Sequence, residues 1–67
     1  MKYKVYMYKG NKIIGRHETN DINNALYVYM DMVASVTSEC GVGSYNVHVF
    51  NSDEGTWERN VDIIVND

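Results

Sequence analysis

The sequence predicts an α+β fold: a single ββαββ domain spanning residues 1–67, with a four-stranded, mainly antiparallel sheet and one helix packed on one face. Three observations lead there. Residues 3–18 alternate in polarity around a Gly-Asn pair. Residues 22–40 repeat apolar side chains at three- and four-residue steps, and residues 45–65 alternate again around a run of turn formers.

Tyr3, Val5 and Met7 point to one face of the first strand, and Lys2, Lys4, Tyr6 and Tyr8 to the other. Gly10-Asn11 supplies a tight turn, and an extended run from about Ile13 to Glu18 completes a hairpin. Two registers compete. A two-residue loop sets Val5 opposite Arg16 and Tyr3 opposite Glu18, which mixes core with charge. A three-residue loop sets Tyr6 opposite Arg16 and Lys4 opposite Glu18, pairs that contribute about 0.2–1 kcal/mol each. The second register is preferred, and it places Tyr3, Val5, Met7, Ile13 and His17 on one face.

Thr19-Asn20-Asp21 is a cluster of helix N-cap residues, and Asp21 suits the positive end of the helix dipole. Ile22, Leu26, Tyr29, Val33, Val36 and Cys40, with Ala25 beside them, form one stripe of a helix over residues 21–39. Gly41 and Gly43 are expected to stop it. Tyr45, Val47 and Val49 then alternate with Asn46, His48 and Phe50. Residues 51–55 turn, and the last strand sets Val61, Ile63 and Val65 against Asn60, Asp62 and Ile64. Trp57 is expected at the start of this strand, near the edge of the core. No linker, repeat, low-complexity segment or proline interrupts the chain.

The element order, with Tyr3-Lys4 opening the first strand, Gly10-Asn11-Lys12 at the turn and Gly41-Val42-Gly43 after the helix, resembles the β-grasp arrangement of small immunoglobulin-binding domains such as those of protein G and protein L. That resemblance implies that the first and last strands pair in parallel at the sheet centre. A wholly antiparallel sheet, with the two hairpins meeting along another edge, is the alternative. No antibody-binding residue can be matched by position.

At 67 residues, the chain lies near the lower limit for folding without disulfides or metals. The one cysteine excludes an internal disulfide and an all-cysteine metal cage. Net charge is −3, which argues against a partner held chiefly through phosphates. No apolar run is long enough to span a bilayer or to serve as a signal peptide, so a cytoplasmic location is expected.

Candidate reactive groups find structural roles. His17 belongs at a sheet edge and His48 on the open face, and no spacing joins either to Cys40, a serine and a carboxylate. Cys40 falls on the buried helical stripe, where a thiol is inert. Two distant histidines and one thiol do not make a zinc site, and Asp53-Glu54 lacks the alternating ligands of a calcium loop. Gly41-x-Gly43 follows a helix and so has the wrong polarity for a phosphate cradle. The expectation is a protein that is not an enzyme and takes no metal or cofactor.

The open face holds the functional candidates. Lys4, Tyr6, Tyr8, Ile14 and Arg16 on the first hairpin join His48, Phe50 and Ile64 on the second, beside Asn46, Asn60 and Asp62. Aromatic residues and arginine are enriched where proteins bind each other. The first reading is a small protein-interaction module, an inhibitor or modulator docking through this face or a sheet edge. The short, proline-free, Asn- and Tyr-rich chain has the character of a phage or mobile-element accessory protein. The alternative is a single-stranded nucleic-acid binder, with Tyr6, Tyr8 and Phe50 stacking on bases and Lys4 and Arg16 meeting phosphates. Closure of a homodimer by the same face is a third reading.

Overall fold

Four strands and one helix follow in the expected order: β1 (Tyr3–Lys9), β2 (Lys12–Thr19), α1 (Ile22–Ser38), β3 (Gly43–Asn51) and β4 (Thr56–Val65). The computed structural model describes residues 1–66; Asp67, the last residue of the expected domain, lies outside them. The sheet order is β2-β1-β3-β4, and every neighbouring pair is antiparallel. The parallel centre implied by the β-grasp resemblance is therefore absent. β1 and β3 are the central strands, with Val5 facing Val49 and Met7 facing Val47. Polarity explains this choice. β1 and β3 carry the buried Tyr3, Val5, Tyr45, Val47 and Val49, whereas β2 and β4 carry the charges that suit an edge.

Gly10 takes a φ of 61° at the first position of the two-residue turn, and its N–H donates to Ser44 O at 2.8 Å, tying the turn to β3. The first hairpin then satisfies both competing registers. Lys9 faces Lys12 and Tyr8 faces Ile13, as a two-residue loop requires. A bulge at Ile14 shifts the pairing, so that Tyr6 faces Arg16 and Lys4 faces Glu18. The preferred pairs form without the three-residue loop. Ile13 is corrected by the same bulge: it sits opposite Tyr8 on the open face, not with the core.

Asp21 is the N-cap of α1, its carboxylate accepting from Asn23 N at 2.9 Å. The buried stripe centres on Ala25 and Val36. That phase admits Val28 and Met32, and it leaves Leu26 half-buried and outside both core clusters. The helix ends at Ser38, before either glycine, and Gly41 has no left-handed conformation. Ser35, Thr37 and Ser38 instead turn their hydroxyls back onto the carbonyls of Met32 and Ala34 at 2.7–2.9 Å, a pattern that weakens a helix. Cys40 lies just beyond the helix, partly buried against the cluster of Val36, Tyr45 and Val47.

The helix rests mainly on β1, β2 and β3. Gly15 permits close approach on β2, since a Cβ there would meet Met7 Cβ at 3.3 Å and Met32 Cε at 3.4 Å. His17 lies on the helix side, opposite Val5, and its Nε2 contacts Asn24 Oδ1 at 2.8 Å. It joins the β2 edge to the helix. Among the described residues, no helix is long and apolar enough to cross a membrane.

Candidate functional site

The helix covers one face of the sheet; the other is organised by rings. Cross-strand partners point to the same face, so the register defines its rows. One row reads Glu18, Lys4, Phe50, Trp57, the next Arg16, Tyr6, His48, Asn60, and a third Ile13, Tyr8, Asn46, Asp62. Lys4, Tyr6, Tyr8, His48, Phe50 and Trp57 line an open concavity of about 310 Å³.

His48 is its centre. Ring centroids of Tyr6 and Tyr8 each lie 5.7 Å from the imidazole, and Trp57 meets it edge-on at 4.5 Å. Phe50 packs on Trp57 at 4.8 Å. These neighbours leave His48 only 8% exposed although no helix covers it. Burial lowers its pKa below the ordinary histidine value and favours the neutral ring. Its Nδ1 lies 2.8 Å from Asn46 Oδ1, and Asn46 Nδ2 donates to Asn60 Oδ1 at 2.7 Å and Asp62 Oδ1 at 2.9 Å. The polar residues expected beside the rings thus hold the imidazole in place.

Of the expected site residues, Lys4, Tyr6, Tyr8, His48 and Phe50 meet in the concavity. Arg16 joins at its rim, with the guanidinium 5.6 Å from the Tyr6 ring centroid. Ile14 and Ile64 do not join. Ile14 is the extra residue of the β2 bulge, and Ile64 faces Ser44, one row beyond Asn46 and Asp62.

Trp57 is the residue that alternation misplaces. It is 55% exposed on the open face, not at the edge of the core. A bulge at Glu58 is the cause: Val49 faces Arg59, but Phe50 faces Trp57. Pairing Asn51 with Thr56 and Val47 with Val61 requires one unpaired residue between them. The two hairpins share this device, because each outer strand bulges near its turn and turns an apolar residue, Ile13 or Trp57, onto the open face.

Net charge conceals a division. Residues 1–17 hold five of the six bases and no acid, while residues 18–67 hold nine acids and Arg59. The open face does not inherit the imbalance. Lys9 reaches the Tyr45 ring and Lys2 the Tyr3 ring, at 5.7 and 5.3 Å from the centroids. Lys12 pairs with Lys9 on the helix side, so Lys4 and Arg16 remain on the open face, set against Glu18 and Asp62 in its rows.

Among the described residues, no three His, Cys, Asp or Glu side chains group as a metal site. The chemistry on offer is an apolar concavity with a neutral imidazole at its centre and an ammonium at its rim. No family model, curated protein or solved structure matches the chain.

Proposed function

We propose that the protein is a small, non-catalytic interaction module of the cytoplasm that binds a partner protein on the aromatic concavity and modulates it. The observation that carries this reading is the uncovered cluster of Tyr6, Tyr8, His48, Phe50 and Trp57, with Trp57 more than half exposed. Clustered aromatic residues bounded by polar groups are the usual anchors of protein recognition, since they bury a large area while losing few rotamers. The surrounding Lys4, Arg16, Glu18 and Asp62 would serve as the rim.

A single-stranded nucleic acid is the second reading, favoured by rings on the two central strands and by the basic first hairpin. The charge balance of the face weighs against it, because two cations matched by two carboxylates make no continuous phosphate track. A second copy of the chain is the remaining occupant.

Quantitative capture from lysate with three baits tests the proposal. Wild type and Tyr27→Ala, altered on the exposed side of the helix, should retain the same protein, and Tyr6→Ala/Trp57→Ala should lose it. Equal retention by all three would remove the concavity from the interaction. Salt-sensitive fluorescence polarisation with a labelled single strand would favour nucleic acid, and a dimer that Trp57→Ala dissociates would favour self-association.

A further inference from the structure

We infer that His48 gives the concavity one oriented hydrogen-bond acceptor, and that the partner's anchor is an aromatic side chain carrying a donor, the indole of Trp or the phenol of Tyr. The inference rests on the protein-binding reading and specifies what that partner must insert.

The orientation follows from Asn46. One end of its amide faces three oxygens: Asn60 Oδ1 at 2.7 Å, Asp62 Oδ1 at 2.9 Å and the Val61 carbonyl at 3.3 Å. Only the NH2 end satisfies a carboxylate and a carbonyl; the reversed amide would set oxygen against both. The oxygen therefore faces His48, and Nδ1, 2.8 Å away, must carry the ring proton. In the neutral imidazole, Nε2 is then a lone-pair acceptor.

That acceptor is unspent. His48 is more than nine-tenths buried and lines the concavity, and no described residue hydrogen-bonds its Nε2. Yet among the described residues no side-chain nitrogen or oxygen is sealed from solvent without a partner. Nε2 is therefore open to solvent, on a residue that lines the concavity. A ligand that fills the concavity without offering a donor would strand this nitrogen, which is costlier than leaving it wet. Phenol and indole rings supply both the apolar body and the donor. Nucleobases also carry N–H donors, but the phosphates beside them would meet Glu18 and Asp62 as well as Lys4 and Arg16.

The test uses indole and 1-methylindole, which differ in the donor, titrated into 15N-labelled protein. Long-range 1H–15N spectra of the free protein should show His48 protonated on Nδ1; protonation on Nε2 would overturn the inference. Indole should perturb Tyr6, Tyr8, His48 and Trp57 and bind about fivefold more tightly than its methylated form, the scale of one hydrogen bond. In His48→Phe, which keeps a ring at that position, the ratio should fall to about one. Equal affinities in the wild type, no perturbation of the concavity, or tighter binding of adenosine or uridine than of indole would each overturn it. Equal affinities would leave the lysate capture unaffected, so failure of the anchor and failure of the interaction face are separable.

Discussion

The two faces of this sheet are buried by different means. On the helix side, Val5, Val47 and Val49 are fully covered by a second layer, and their small β-branched side chains suit that close packing. On the open side no described element forms a second layer, yet His48 is nearly as buried, because Tyr6, Tyr8 and Trp57 pack around it and Phe50 packs on Trp57. The first kind of burial holds the fold. The second spends large side chains on one polar ring, and it leaves their outer surfaces to water or to a partner.

Truncation should separate the faces first. Val47→Ala removes packing beneath Val36 and Tyr45 and should destabilise the domain by about 2–3 kcal/mol in urea unfolding, a large share of what so small a domain has. Trp57→Ala removes a larger side chain, but one more than half exposed, and should cost about 1 kcal/mol. The reverse ranking would mean that the ring cluster belongs to the core.

The bulges give a sharper contrast. Deletion of Ile14 should keep every other pair of the first hairpin, because the residues on either side already face their partners and only the extra one is lost. The expected cost is no more than about 1 kcal/mol. Deletion of Met7, from a central strand, would invert the faces of half of β1 and should prevent folding. Cross-strand nuclear Overhauser effects between Tyr6 and Arg16 would report the register. Their loss on deletion of Ile14 would show that the bulge itself sets it.

These contrasts also show what a linear pattern can carry. Asp21 followed by apolar steps specifies the helix start, and Val47 and Val49 alternating with His48 specify the faces of β3. Alternation counts residues, however, and a bulge adds one without changing the composition. Ile13 and Trp57 are misplaced for that reason. Strand order was legible only as a choice, because antiparallel pairing of β1 with β3 is a long-range decision. The burial of His48 had no local signal: parity assigns it to the open face, and only neighbouring rings on β1 and β4 take it out of water.

The smallest expected effect is the one that joins the two kinds of burial. The folded state holds His48 with a lowered pKa, so the unfolded chain binds its proton first as pH falls. Stability should be full above the ordinary histidine value of about 6.5 and decline as pH drops through it toward the folded value, with a slope below one proton. Desolvation by the surrounding rings is the cause, so removing one of them should return the imidazole to water and flatten the decline. His17 is common to both proteins and cancels from the comparison. Urea unfolding of wild type and Trp57→Ala, from about pH 8 to about pH 5, supplies the two slopes. If they are equal, Trp57 does not shield His48, and the open face is a wet sheet carrying rings, not a second site of burial.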